Sequence, residues 1–232
     1  VRKWPNKFRC CTLVDEDEAD NEEQILGLRC AVRELGLTAL NFNVDGYAKS
    51  DYQNHLDDNK YVPFWEEVKS LGIPVVWDIR SAARRTDHNA YMEQVGRLHR
   101  HLRRFPHIQN VLTHWAPSNA FNSAGNIPDD IWAMLKEPNL SLELLFPLLY
   151  GARWEYPFKE AQPVIRELYA KLGTTKLLWG SDMPNVERSC TYGQSLDYLR
   201  KHCTFIKEAD MELILGKNAY QIYFSVTPTS LV

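Results

Sequence analysis

The sequence predicts an α/β fold: a parallel sheet curving as a TIM-like (β/α)8 barrel, with about six β/α units present. Three observations predict it. Apolar runs of strand type alternate with amphipathic helical stretches, the pattern of parallel strands joined by crossover helices. Several of these runs stop abruptly at a titratable residue: Ile73-Pro74-Val75-Val76-Trp77-Asp78, Val111-Leu112-Thr113-His114, and Leu177-Leu178-Trp179-Gly180-Ser181-Asp182. The C-terminal ends of buried parallel strands are where such barrels place reactive groups. Finally, 232 residues suit a single domain, 1–232, and fall a little short of the roughly 250 that a full eight-unit barrel takes.

The elements follow in order. Lys7–Val14 is predicted as a strand. A helix is predicted over Glu22–Leu35, with Ile25, Leu28, Val32 and Leu35 on one face and Gly36 closing it. Thr38–Val44 is the next strand, and Pro63–Leu71 a helix ending at Gly72. Pro74–Ile79 reads as a strand and Asn89–Arg104 as a helix. Gln109–His114 is a strand, Asp129–Leu135 a short helix and Leu140–Phe146 a strand. Glu160–Leu172 is a helix, Lys176–Asp182 the last strand, and helices near Ser195–His202 and Lys207–Tyr223 complete the pattern. No repeat, low-complexity tract or linker interrupts it.

Composition excludes some classes of function. Twenty-seven Lys and Arg against 30 Asp and Glu give a net charge of −3, which offers no basic surface for nucleic acid or an anionic membrane. No apolar run approaches the roughly 18 residues of a membrane span. The opening Val1-Arg2-Lys3-Trp4-Pro5 reads as neither a signal peptide nor an initiator sequence. Five cysteines, with Cys10 and Cys11 adjacent in a strand-like run, read as buried free thiols in a reducing, cytoplasmic compartment. The expected partner is a small-molecule substrate, and a homo-oligomer is compatible.

The chain resembles the amidohydrolase superfamily, in the branch that includes aminocarboxymuconate-semialdehyde decarboxylase and related lactone hydrolases. The segments that carry the resemblance are Phe105–His114, Leu178-Trp179-Gly180-Ser181-Asp182-Met183-Pro184, and Ile214–Tyr223 with its Asn218-Ala219-x-x-x-Tyr223 tail. The resemblance implies that the family's first strand, with its His-x-His metal pair, and the unit after it have no counterpart here. His99-Arg100-His101 has that spacing but lies in a basic helical stretch, where residues two apart point to different sides, and reads as a solvated face.

The resemblance also implies the site. Asp182 matches the family's general base or metal ligand, and His114 its acid–base or electrophilic partner. Asp78 stands where the family has a His ligand. It could bind zinc or another divalent metal together with Asp182, or form an ion pair with Arg80, which shares its strand face. Metal-dependent and metal-independent chemistry both remain open. Arg80 could orient a substrate carboxylate and Trp115 could wall the pocket. Asn41 and Asn43 alternate at a strand end and read as loop caps or as pocket lining. Asp182 could also be a helix cap. Glu143, inside an apolar run, must be functional or paired with a core Arg. Glu187 and Arg188 could shape access. The acidic run Asp15–Asp20 reads as a solvated loop on the active-site side of the first strand, with cation binding as the lesser alternative.

Three functions follow as expectations. One is a hydrolase of a small carboxylated lactone, ester or amide. Another is a decarboxylase of an aromatic or muconate-like acid. The last is a truncated barrel without catalysis.

Overall fold

The computed structural model describes residues 3–4, 6–44, 56–79, 88–113, 126–145 and 155–225. Six strands form one sheet in sequence order: β1 (Cys11–Thr12), β2 (Ala39–Asn43), β3 (Val75–Asp78), β4 (Asn110–Leu112), β5 (Leu140–Leu144) and β6 (Leu177–Trp179). Every neighbouring pair is parallel, as the alternation requires. Helices α1 (Glu22–Arg33), α2 (Val62–Leu71), α3 (His88–Arg104), α4 (Asp129–Leu135) and α5 (Gln162–Leu172) follow strands one to five. After β6 come α6 (Tyr192–Asp197), α7 (Glu208–Glu212) and α8 (Asn218–Phe224). No described helix is long and apolar enough to cross a membrane.

Local chemistry sets the boundaries. Gly72 takes φ 62 at the end of α2, a left-handed turn that a side chain disfavours, and this stops the helix just before β3. Thr191 and Gln194 form a reciprocal capping box at the start of α6. Two predicted elements differ. The strand foreseen over Lys7–Val14 is only Cys11–Thr12, because Lys7 and Phe8 donate their N–H groups back to the Trp4 carbonyl in a turn. The helix foreseen over Lys207–Tyr223 is α7 and α8 joined by a wider π-type turn, Leu213–Lys217.

Each strand presents two faces. Leu40, Phe42, Val75, Trp77, Leu112, Leu140, Leu142 and Leu177 pack outward into the main core under the helices. Its centre is aromatic. Trp65 meets Phe42, Phe64 and Trp77 with ring centroids 4.9–5.6 Å apart. Asn110 accepts from the Trp77 indole at 2.7 Å, and Asn139 donates to the carbonyls of Leu102, Phe105 and Ile108, fixing the end of α3 to the sheet.

His101 corrects the reading of the basic helix as a solvated face. It is fully buried, 4.3 Å from Trp65 and 5.0 Å from Trp77 between ring centroids, and Arg97 is buried beside it. Burial, followed by the nearby Arg104 charge, pushes its pKa down to about 3, so it is a neutral core residue. His99 points elsewhere and meets Glu137 at 2.8 Å.

The opposite face carries Val76, Val111 and Leu178, and α8 covers it with Ala219, Ile222 and Tyr223. Asn218 ties the start of α8 to the sheet by donating to the carbonyls of Thr174 and Leu177, both at 2.8 Å. At the other end Arg9, beside β1, donates to the Tyr223 carbonyl at 3.2 Å and lies 4.0 Å over the Phe224 ring. The helix therefore reaches from the β6 side to the β1 side and floors the inner face. Phe8 and Leu13 are exposed. Val75 and Leu177 are buried, because they belong to the helix-facing layer. Cys10 and Cys11 are exposed rather than buried, since β1 is an edge strand; Cys190 and Cys203 are the buried thiols.

Candidate active site

Strand register brings the polar residues of the inner face to one end. Asn43 pairs with Asp78 across β2 and β3, and Thr113 extends β4 by donating its N–H to the Trp77 carbonyl at 2.9 Å. Glu143 is the inward residue near the end of β5, and Gly180 extends β6 by donating to the Leu144 carbonyl. Beyond these strand ends lies a cavity of about 480 Å³, large enough for a small organic molecule. It is lined by Asn41, Asn43, Asp78, Thr113, Glu143 and Asp182, with Leu13, Val14, Val76 and Leu145 as apolar walls and Glu16 at the rim. A slightly larger cavity, about 540 Å³, opens at the other end of the strands. Its Lys176 is committed to the backbone carbonyls of Leu135 and Glu137, and the strand-end carboxylates are all at the first cavity.

The sequence-based candidates fall into place unevenly. Asp182, Asp78 and Asn43 converge on the cavity. Asn41 and Asn43 line it, so the reading as loop caps gives way to the pocket reading. His114, Arg80 and Trp115 lie outside the described residues. Glu187 and Arg188 are exposed on the turn Asn185–Arg188 and do not line the cavity.

Asp182 is not the cap of the element that follows it. Pro184 holds that position, while the Asp182 carboxylate accepts from the Asn185 side chain at 3.2 Å. Its φ of 51 is left-handed, a conformation that costs a non-glycine residue roughly 1–2 kcal/mol. Strain of this kind concentrates at functional positions, where it aims a side chain that relaxed backbone would send elsewhere.

Among the described residues, the groups that act on Glu143 are Thr113 and Asp182 rather than a core Arg. Thr113 donates to its carboxylate, and Asp182 repels its charge. Burial first, and the Asp182 charge second, raise its pKa to about 7 against the opposing Thr113 hydrogen bond. Two further residues, Thr113 and Glu16, line the cavity. Thr113 was hidden because it sits one place before the more conspicuous His114. Glu16 was read as part of a solvated acidic loop. Its carboxylate instead accepts from the Asn43 backbone at 3.2 Å and side chain at 2.9 Å, drawing the loop over the cavity. Asp15 starts this turn by accepting from the Asp17 N–H.

The chain fits one family along almost its whole length: residues 7–224 match the amidohydrolase family model. It belongs to the amidohydrolase family. A comparison with curated protein sequences gives no match. Solved structures of similar fold include the 2,6-dihydroxybenzoate decarboxylase from Rhizobium, at TM-score 0.68 and 16% identity, covering 97% of this chain and 74% of that one. A dihydroxybenzoic acid decarboxylase from Polaromonas with bound manganese and an inhibitor, 2-nitroresorcinol, is similar at TM-score 0.67 and 20% identity, covering 97% and 71%. A probable 2-pyrone-4,6-dicarboxylic acid hydrolase from Acinetobacter baumannii, with citric acid bound, is similar at TM-score 0.61 and 18% identity, covering 97% and 76%. At such identities these likenesses establish the fold. This amidohydrolase-family enzyme thus shares its barrel with relatives of more than one reaction type.

Among the solved structures of similar fold, the Polaromonas protein holds manganese. In this chain Asp78 and Asp182, the expected ligands, share the cavity. However, no three His, Cys, Asp or Glu side chains among the described residues come together as a metal-binding group. Among the described residues the donor set is thus incomplete for a metal, and His114 lies outside them.

Proposed function

We propose that this amidohydrolase-family enzyme hydrolyses a small lactone, ester or amide in the cavity at the strand ends. One observation carries the reading: the strained Asp182 carboxylate is held in a small, partly apolar cavity with Glu143 and Asp78 at the mouth of a parallel barrel. Asp182 takes a proton from a water molecule, whose oxygen adds to the substrate carbonyl carbon. Asn43, Asn41 and Thr113 supply polar contacts that orient the carbonyl compound. Val14, Val76 and Leu145 limit water access and strengthen electrostatics within the cavity.

That the substrate carries a carboxylate is supported by the citric acid in the Acinetobacter hydrolase. Our candidate for recognising that carboxylate is Arg80, two residues after Asp78 in the sequence. A decarboxylase is the second reading. It is favoured by Glu143, whose carboxyl can supply the proton that replaces carbon dioxide.

The test is turnover of the purified protein on a panel of small lactones, esters and amides, with and without a carboxylate, beside aromatic and muconate-like acids. Hydrolysis that prefers carboxylated members supports the proposal. Carbon dioxide release with no hydrolysis overturns it in favour of the lyase.

A further inference from the structure

The cavity of about 540 Å³ at the N-terminal ends of the strands has a chemistry opposite to that of the candidate active site. It opens between the starts of β3 to β6 and the flank of α8, which contributes Gln221. Lys69, His107 and Lys176 line it, and among the described residues no Asp or Glu does. The cavity beyond the other ends of the strands is lined by Glu16, Asp78, Glu143 and Asp182. The two cavities share no lining residue.

Two of its polar groups lie inside the protein with bonding capacity to spare. Lys176, just before β6, is half-buried. An ammonium has three N–H donors. Two of them go to neutral carbonyls, that of Leu135 at 2.9 Å and that of Glu137. The Glu137 carboxylate itself meets His99 at 2.8 Å. Burial lowers the Lys176 pKa to about 8, and the Glu137 charge offsets this only in part. A desolvated positive charge therefore rests on carbonyls alone. Ser141 is buried on the inner face of β5, level with Val111 of β4, which is itself level with Val76 of β3. Gln109 donates to its hydroxyl at a long 3.4 Å, and its O–H meets no acceptor among the described residues. A hydroxyl in such an apolar layer costs free energy unless it finds a partner.

We propose that this second cavity binds a small dianion of phosphate type, free or carried on a small metabolite. The third Lys176 N–H and the Ser141 O–H are its inner donors. His107 and Lys69 add to the rim, where Lys69 shares its exposed contact with Glu66. Gln221 closes the site from α8, so a bound anion ties that helix to the starts of the strands. Among the described residues the lining holds no guanidinium, the planar fork that pairs best with a carboxylate. Ammonium groups bind phosphate as point charges, and hydroxyl and amide donors complete its tetrahedral shell. The site stands apart from the hydrolase reading and does not depend on it.

The experiment is isothermal titration of the purified protein with inorganic phosphate, at an ionic strength held constant with chloride. One saturable site per chain is expected. Lys176→Gln keeps a donor for the two carbonyls but removes the charge, and should weaken binding about tenfold or more. Ser141→Ala and His107→Gln should weaken it less, and they decide the matter should Lys176→Gln not fold. Asp182→Asn, in the other cavity, should bind phosphate as wild type does. No saturable site with Kd below about 1 mM overturns the proposal. So does binding that the Lys176, Ser141 and His107 variants leave unchanged, or that Asp182→Asn abolishes.

Thermal unfolding separates the two sources of the anion. A ligand that binds only the folded chain raises Tm as its concentration rises. Inorganic phosphate and glycerol phosphate should both do so, and neither should in Lys176→Gln. A larger rise with the ester supports the site with a phosphorylated metabolite as its ligand; an equal rise supports it with free phosphate. A rise of the same size with succinate, or with chloride alone, overturns the proposal.

Discussion

His101 shows how far a residue's chemistry depends on its layer. Its sequence neighbours are basic, yet it lies between Trp65 and Trp77, and neither ring nitrogen has a hydrogen-bond partner. Its pKa falls from 6.5 to about 3 on folding, so below 6.5 the unfolded chain takes up a proton that the folded chain refuses. The stability this neutral form contributes is complete above pH 6.5 and declines as pH falls towards 3. His101→Leu, of similar volume, removes both buried nitrogens. Urea unfolding should show the variant gaining on wild type between pH 7 and pH 5; a constant difference would contradict the assignment. Glu143 has the opposite sign. Its folded pKa is raised, so its contribution is complete below 4.5 and declines as pH rises through about 7. Glu143→Gln should therefore be more stable than wild type at pH 8, relative to their difference at pH 5, by thermal unfolding.

At the scale of elements, α8 explains the tail motif that marked the resemblance. Asn218 anchors to two carbonyls at the start of β6, and Ala219 and Tyr223 floor the inner face. Asn218→Ala leaves both carbonyls without that donor and should cost about 1–3 kcal/mol in denaturant unfolding. A smaller change would mean that α8 is held by apolar packing alone. Strands and helices were legible because their faces differ: α1 buries Leu28 and Val32 at helical spacing, and β3 buries every residue. The Lys7–Val14 strand misled because its first residues turn back on the Trp4 carbonyl, which leaves only Cys11 and Thr12 paired to β2. The site was partly legible. Asp182, Asp78 and Asn43 announce themselves at the ends of strands. The Glu16 contact to Asn43 spans 27 residues and has no local signature, and the approach of Glu143 to Asp182 depends on strand register, which neither segment encodes alone.

Across the whole molecule, the sheet runs from β1 to β6 without those two strands pairing, and α8 bridges between them. The outer edge of β1 is flanked by exposed Phe8 and Leu13. Exposed strand edges with apolar neighbours invite association. Light scattering should show self-association that rises with concentration and weakens in Phe8→Lys; a monodisperse monomer at all concentrations would show that this edge is adequately protected. The central claim is that the cavity beyond the strand ends is the active site and Asp182 its base. The direct measurement is turnover by Asp182→Asn on whichever panel substrate the wild type hydrolyses, alongside thermal unfolding. Asn accepts the left-handed backbone at this position, so the fold should persist. A loss of about 10²–10⁴-fold in kcat with unchanged unfolding is expected, and near-normal turnover by a folded variant would contradict the account.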